Sequence, residues 1–258
     1  MQIAAIYDIH GNLPALEAVV NDIKKMNIDR LVVGGDVIAG PMPIPVLQLL
    51  QNLKLPTDFI LGNAEAEYLR CVDNKPINGL STRANDEAKW LSKLLPIQSE
   101  EFIRTWHNIL SIEHPTLGDI LFCHATPRSN IEVFTTRTPE QRIKPAFEGI
   151  SEKIVICGHT HMQFSRKYGS INIVNAGSVG MPFGSVGADW LVIDQAIKMM
   201  HTKYDLKKAA DSIKASNYPN AKEFAESNVL NSPAKDQVLK MLDNIQEQQL
   251  GQDISFDI

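Results

Sequence analysis

The segment with the clearest structural meaning is Ile3-Ala4-Ala5-Ile6-Tyr7-Asp8-Ile9-His10, a short apolar run that ends in a carboxylate and an imidazole. Residues two apart in an extended segment point to the same side, so Asp8 and His10 are expected to face one point at the end of a strand. Two such side chains make half of a metal site. Taken alone, they equally fit a strand end followed by a helix cap and a turn at Gly11-Asn12. The rest of the chain decides between these interpretations.

A second polar strand end follows one helix later. The segment from Leu13 to Lys25 carries apolar residues at helical spacing. After it, Arg30 to Val33 forms another apolar run, which ends in Gly34-Gly35-Asp36. Strand, helix and strand form the opening of a parallel βαβ unit, whose ligand sites lie beyond the carboxyl ends of its strands. Asp8 and Asp36 are therefore predicted at the same sheet edge.

Three further apolar runs also end in residues that bind metals. They are Thr57 to Leu61 before Gly62-Asn63, Asp119 to Cys123 before His124, and Ile154 to Cys157 before Gly158-His159-Thr160-His161. Together with His10, these runs account for four of the seven histidines of the chain. Random capping of strands would not concentrate carboxylate, amide and imidazole groups in this way. The sequence therefore predicts one shared metal site.

The remaining segments predict further helices and strands. Helices are expected over residues 46–53, 64–72, 83–94, 100–106, 139–147 and 234–248, and strands over 109–113, 163–167, 171–174, 190–193 and 197–204. Pro41, Pro43 and Pro45 predict a turn before the first of these helices. Since no repeat or linker divides the chain, we expect a single domain over residues 1–258, with a helical C-terminal extension from about residue 205.

Composition narrows the class of protein. The net charge of −5 argues against a surface that holds a long nucleic acid, and leaves small phosphorylated substrates as the expected partners. Three widely spaced cysteines indicate free thiols in a reducing compartment. No apolar run approaches the ~20 residues of a membrane span, and the first residues lack a basic leader. We expect a cytoplasmic protein without a membrane partner, and its oligomeric state stays open.

The ordered motifs closely resemble those of the calcineurin-like metallophosphoesterase superfamily, which are D-x-H, G-D, G-N, an isolated H, and G-H-x-H. In this chain they read Asp8-Ile-His10, Gly35-Asp36, Gly62-Asn63, His124 and Gly158-His-Thr-His161. The segments Gly40-Pro41, His124-Ala-Thr-Pro127 and Asn175-Ala-Gly-Ser-Val-Gly180 resemble the smaller, phosphodiesterase-type prokaryotic branch. The resemblance extends to about Gln195 and leaves the C-terminal helices outside it.

The resemblance implies an α/β fold in four layers, an αββα sandwich of two mixed sheets flanked by helices. It also implies a binuclear centre. One ion would take Asp8, His10 and His161, the other would take Asn63, His124 and His159, and Asp36 would bridge both. Mixed oxygen and imidazole ligands suit borderline divalent ions, so manganese is expected first, with iron, cobalt, nickel or zinc as alternatives.

The implied chemistry is hydrolysis of a phosphodiester, or of a phosphomonoester, by a hydroxide held between two ions ~3.5 to 4 Å apart. Asp36, Asn63 and His124 are the expected catalytic residues. Asn12, Asn63 and Arg128 are the expected substrate contacts, although Asn12 could instead cap a helix and Arg128 could be an exposed loop residue. Related readings within this enzyme class are a protein serine/threonine phosphatase and a dinucleoside polyphosphate hydrolase. Outside it, a scaffold that keeps the fold to bind a partner stays open.

One position departs from the family pattern. Many members of the superfamily have a histidine directly after the G-N asparagine, where it assists the leaving oxygen, and here that residue is Ala64. Loss of a general acid removes typically ~10²- to 10⁴-fold in rate for a poor leaving group. Glu65 could supply the proton or could cap the helix that begins there. Asn175, Gly177 and Ser178 are expected near the pocket, or in a turn that merely needs glycine.

Overall fold

Ten strands form two sheets in the computed structural model, which describes residues 1–77 and 81–256. The strands are β1 Ile3–Ile6, β2 Arg30–Val33, β3 Thr57–Phe59, β4 Ile109–His114, β5 Gly118–Cys123, β6 Ile154–Cys157, β7 Gln163–Tyr168, β8 Ile171–Ala176, β9 Ala188–Ile193 and β10 Ile197–Thr202. The first sheet has the order β10-β9-β1-β2-β3 and the second has the order β4-β5-β6-β8-β7. Parallel and antiparallel pairs occur in each, so both sheets are mixed.

The helices of the described residues connect and cover these strands. They are α1 Leu13–Ile23, α2 Pro43–Gln51, α3 Asn63–Val72, α4 Thr82–Leu94, α5 Ile97–Ile103, α6 Glu140–Phe147, α7 Leu206–Lys214, α8 Ala221–Phe224 and α9 Lys235–Gln248, with a π-helical turn at Ala225–Leu230. None of them is both long and apolar enough to cross a membrane.

The alternation of side chains along each strand builds the layers. From β1, Ile3 and Ala5 point between the two sheets, where they join Phe122 and Ile156 of the second sheet in one buried cluster. Ala4 and Ile6 point the other way, into a cluster with Leu16 and Val19 of α1. The outer face of the second sheet is covered in the same manner by α6. The expected αββα sandwich is confirmed.

The carboxyl ends of the central strands of both sheets meet at one edge. There the N–H of Asp8 donates to the Gly35 carbonyl at 3.0 Å, and the N–H of His10 donates to the Asp36 carbonyl at 2.9 Å. A third bond, from Gly158 N–H to the His124 carbonyl at 2.8 Å, joins the corresponding loops of the second sheet. These bonds fix the positions of the loops that carry the motif residues.

Most predicted elements are present, with shifted ends. The turn expected at the prolines includes only Pro41, which lies in a bend. Helix α2 already begins at Pro43, where a missing N–H does no harm in the first helical turn. Helix α5 spans Ile97–Ile103 rather than 100–106, because it starts directly after Pro96. Strand β3 stops at Phe59, and Ile60 makes an isolated bridge to His107.

The C-terminal helices pack on the loops at the same edge as the motif residues. Side chains of α7, α8 and the π-helical turn contact Met42, Trp90 and Met181. Helix α9 packs against Val133 and Met162. The C-terminal residues therefore cover the edge at which the motifs meet.

Candidate metal centre

The structure brings the side chains of all five motifs together. Six of them form two groups of potential metal ligands, Asp8 with His10 and His161, and Asp36 with His124 and His159, and the ligand atoms of each group lie within 4.8 Å of one another. The seventh, Asn63, has its amide 3.1 Å from His124 Nε2. The division into two groups is the one that the resemblance implies.

Backbone carbonyls orient three of the four histidines. The Nδ1 atoms of His10, His124 and His161 lie 3.0 Å from Ala39 O, 2.8 Å from Gly34 O and 3.1 Å from Met181 O, respectively. A carbonyl oxygen can only accept, so each Nδ1 carries the hydrogen and each Nε2 presents its lone pair to the centre. Such outer contacts are the usual way in which a protein fixes the tautomer of a metal-binding histidine.

The carboxylate of Asp36 lies between the two groups. Its Oδ2 is 3.7 Å from His10 Nε2, and its Oδ1 is 3.6 Å from His124 Nε2. Oδ1 also accepts the N–H of Ala64 at 2.8 Å. Asp36 therefore faces both groups at once, as a bridging ligand has to.

Two arrangements in the cluster fit cations. His10 Nε2 and His161 Nε2 lie 3.0 Å apart, and two lone pairs at that distance repel unless a positive charge lies between them. Imidazole nitrogens that share one ion at ~2.1 Å lie about 3.0 to 3.4 Å apart. In addition, Asp8 Oδ1 is buried among the described residues without a hydrogen-bond partner.

The amide oxygen of Asn63 adds a fourth electron-pair donor to the second group. One end of the amide lies 3.2 Å from Asp36 Oδ2, 3.1 Å from His124 Nε2 and 2.9 Å from His159 Nδ1. With its oxygen at this end, the amide and three other electron-pair donors converge on one point. Oxygen and imidazole donors in this mixture suit a borderline divalent cation.

Burial and mutual charge tune the ionisation of these groups. Burial raises the pKa of Asp8, but the neighbouring imidazoles, His161 foremost, outweigh it and bring that pKa down to about 2. Burial lowers the pKa of His159 to about 4, with His124 acting in the same direction. Burial also lowers the pKa of His124, but the carboxylates of Asp36 and Asp8 reverse this and raise it above its ordinary value. Asp8 is therefore a carboxylate and His159 is neutral near pH 7, as metal ligands must be.

The backbone at the centre is strained. Six non-glycine residues in the described part of the chain have positive φ, and five of them belong to the two ligand groups, namely Asp8, His10, Asp36, His159 and His161, with φ between 47° and 67°. Such conformations cost of order 1–3 kcal/mol each and persist where the surroundings enforce them. In these conformations Asp8 and His10 both face the centre, while Ile9 between them is buried in the hydrophobic core.

The glycines of the G-D and G-N motifs allow two loops to touch. A Cβ on Gly35, whose φ is +93°, would lie 2.5 Å from the Gly62 nitrogen. A Cβ on Gly62 would lie 2.2 Å from the Asp36 nitrogen. Any larger residue would push Asp36 away from Asn63.

Glu65 holds the backbone of two motif loops together by accepting hydrogen bonds from their N–H groups. Its buried carboxylate accepts the N–H of Gly62 at 2.9 Å, which caps α3, and also the N–H groups of Asp36, Val37 and Ile38 at 2.9, 2.8 and 3.1 Å. Burial and the charge of Asp36 raise the pKa of Glu65 to about 7. Because both oxygens are engaged as acceptors of backbone N–H groups, the helix-cap interpretation of Glu65 applies, and the residue does not face a leaving group.

The glycine-rich loop at residues 175–180 forms hydrogen bonds to the backbone of the motif loops. Ser178 Oγ donates to the Asp8 carbonyl at 2.7 Å, and Asn175 Nδ2 donates to the Gly158 carbonyl at 2.5 Å. Asn175 Oδ1 accepts the N–H of Gly177 at 2.9 Å. These three residues hold the motif loops in place.

Two predicted substrate contacts are engaged elsewhere. Asn12 is fully buried, accepts the N–H of Ala15 as the cap of α1 at 3.2 Å, and donates to the Gly180 carbonyl at 2.9 Å. Arg128 forms a bidentate ion pair with Glu132, in which Nε lies 2.9 Å from Oε2 and Nη2 lies 2.6 Å from Oε1. The helix-cap interpretation of Asn12 therefore applies, and the guanidinium of Arg128 is engaged by Glu132.

A cavity of about 100 Å³ opens beside the centre. His10, Asp36 and Asn63 line it, together with Ala64. The rest of the lining includes residues for which the motifs gave no signal, namely Glu67 of α3, Ala84, Glu87, Ala88 and Leu91 of α4, and Ile131. Only the burial of one face of α4 could have indicated its part in this lining.

Comparisons with known proteins agree with the fold and the motifs. A model of the calcineurin-like phosphoesterase superfamily domain matches residues 1–196. The uncharacterized protein MJ0912 of Methanocaldococcus jannaschii is 26% identical over 242 residues, which cover 84% of this chain and 93% of that protein.

Two solved structures share the fold. The hypothetical protein PH1004 from Pyrococcus horikoshii OT3 superposes with a TM-score of 0.73 at 17% identity, over 87% of this chain and 97% of that one. A metallophosphoesterase from Sphaerobacter thermophilus gives 0.68 at 20% identity, over 89% and 99%. The family model spans most of the sequence and includes every residue of the two ligand groups. The chain therefore belongs to the calcineurin-like phosphoesterase superfamily.

Proposed function

We propose that this protein is a phosphodiesterase that depends on two divalent metal ions. The observation that carries the proposal is the position of Asp36, whose two carboxylate oxygens face His10 in one ligand group and His124 in the other. A carboxylate shared in this way is what two dications at close range require, because it reduces their mutual repulsion.

The residues would divide the work as follows. Asp8, His10 and His161 would hold one ion, Asn63, His124 and His159 the other, and Asp36 both. The ions, manganese in the first instance, would supply a nucleophilic water and neutralise charge on the phosphate. Ala39, Gly34 and Met181 keep three imidazoles aimed at the centre through their carbonyls. No side chain is needed as a nucleophile.

The preference for diesters rests on Ala64. This residue lines the cavity beside Asp36 and Asn63, and prokaryotic members of the family that lack a histidine at this position are often active on phosphodiesters. A phosphomonoester also carries more negative charge than a diester into a cavity whose lining includes Glu67. Both features favour a singly charged phosphodiester of small size.

The test is metal analysis of the purified protein followed by hydrolysis assays with added manganese. We expect about two bound divalent ions per chain and faster turnover of bis-p-nitrophenyl phosphate than of p-nitrophenyl phosphate. Faster monoester turnover would contradict the diester preference. Hydrolysis of neither substrate, with no ion bound or bindable, would favour the partner-binding scaffold.

A further inference from the structure

The cavity beside the metal centre contains a carboxyl group that the family motifs do not include. Glu87 of α4 lines it together with Asp36 and Asn63 of the metal centre. The cavity is small, with a volume of about 100 Å³. A substituent that enters it from a phosphate held at the metal centre therefore lies close to Glu87.

The C-terminal residues hold this carboxyl group in place. Tyr218, which follows α7, donates its hydroxyl to Glu87 Oε1 at 2.7 Å, and its ring packs edge-on against Trp90 of α4 at 5.3 Å between centroids. Arg83, one turn before Glu87, is paired with Glu223. The residues beyond the family model thus reach the cavity through Tyr218.

The surroundings of Glu87 allow it to hold a proton. Burial raises the pKa of its carboxyl group, and the charge of Asp36 acts in the same direction, while the Tyr218 hydrogen bond and Arg83 oppose them. Besides Asp36, the acidic residue Glu67 also lines this cavity. A carboxyl group with a raised pKa in a confined site is suited to general acid catalysis.

We infer that Glu87 is the catalytic acid of this protein and protonates the leaving oxygen, the task for which other members use the histidine that Ala64 replaces. This inference rests on the proposed phosphodiesterase function. Water attacks phosphorus and releases one proton to the solvent. The bond between phosphorus and the leaving oxygen breaks as that oxygen takes the proton of Glu87. The carboxylate that remains recovers a proton from the solvent, which completes the balance.

Leaving-group dependence tests this role. In Glu87→Gln we expect the hydrolysis of diphenyl phosphate, whose leaving phenol has a pKa of about 10, to fall by about 10²-fold or more. Hydrolysis of bis-p-nitrophenyl phosphate, whose leaving group needs no proton, should fall by less than about threefold. The matched control is Asp86→Asn, one residue away on the exposed face of α4, which should leave both rates unchanged. Tyr218→Phe removes the hydroxyl that positions Glu87 and should show a weaker form of the same selective loss.

The outcomes separate this inference from the proposed function. If the wild-type protein hydrolyses neither diester with metal bound, the phosphodiesterase proposal fails. If it hydrolyses both and Glu87→Gln lowers both rates equally, or neither, the assignment of Glu87 is overturned while the phosphodiesterase stands. A selective loss in Glu67→Gln instead of Glu87→Gln would also overturn it. Thermal unfolding and metal content of each variant show whether folding or the metal centre has changed.

Discussion

His10 and His161 face each other with their Nε2 atoms 3.0 Å apart. Each ring is held from behind by a backbone carbonyl, so neither can turn its lone pair away. His161 also packs on Phe183, with 4.9 Å between ring centroids. Two fixed lone pairs at this distance favour a cation, and the pair therefore links local packing directly to metal binding.

Removal of one of these imidazole rings should abolish binding of one of the two metal ions only. In His161→Ala we expect one bound divalent ion per chain where the wild type binds two, because Asp36, Asn63, His124 and His159 are untouched. Metal analysis after dialysis measures this. Retention of two ions would contradict the assignment of His161 to the first group.

Replacement of the shared carboxylate should weaken both positions. Asp36→Asn halves the negative charge that the cluster of Asp8 and Asp36 offers, and Asp36 faces both groups. We expect less than one ion per chain and a loss of diesterase activity of about 100-fold or more. Asp119→Asn, an exposed carboxylate on β5, is the control. Full occupancy with near wild-type turnover would rule out the bridging role.

Glu65 should matter for stability more than for chemistry. Glu65→Ala leaves four N–H groups at Gly62, Asp36, Val37 and Ile38 without their acceptor. A buried donor that loses its partner costs about 1–3 kcal/mol, so a loss of at least about 3 kcal/mol is expected. That corresponds to a Tm lower by about 6–12 °C. Glu17→Ala, on the exposed face of α1, should change the Tm little, and an unchanged Tm in Glu65→Ala would refute this role.

Metal binding should release a proton from His124. Its pKa is raised by Asp36 and Asp8 against the effect of burial, so the metal-free protein holds a proton there up to higher pH than an ordinary histidine. His10 and His159 have lowered pKa values and are already neutral near pH 7. Below the pKa of His124, the apparent metal affinity should fall ~10-fold per pH unit.

Titration calorimetry in buffers of different ionisation enthalpy counts the protons released on metal binding. At pH 6.5, near the ordinary pKa of about 6.5 for histidine, we expect the release of more than half a proton per chain, with the number falling as pH rises. An affinity that is constant from pH 6 to pH 8 would show that His124 is already neutral in the metal-free protein.

Local signals in the sequence were sufficient for the strands and for the ligands that follow them. The run before Asp8 and the run before His159 are continuous apolar segments that end abruptly, and both end where the structure places the metal centre. The order of the motifs then determined the family. The features predicted correctly are thus those that local sequence determines, namely the strands and the ligands that directly follow them.

Contacts between distant segments were not predictable in this way. Glu65 accepts N–H groups from residues 36–38, 27 to 29 positions away, and nothing near Glu65 indicates those partners. Glu87 resembles any polar residue of an amphipathic helix, and Tyr218 lies 131 residues further along the chain. Asn12 and Arg128 were expected at the phosphate because of their proximity in sequence to His10 and His124, whereas their side chains bind a helix end and Glu132.

The most direct test of the two-metal account combines metal content and activity in one sample. The purified protein is stripped of metal, titrated with manganese, and assayed with bis-p-nitrophenyl phosphate at each point. We predict that hydrolysis appears only as the second equivalent of manganese binds and reaches its maximum near two ions per chain. Full activity with one ion, or activity in the metal-free protein, would contradict a shared centre built on Asp36.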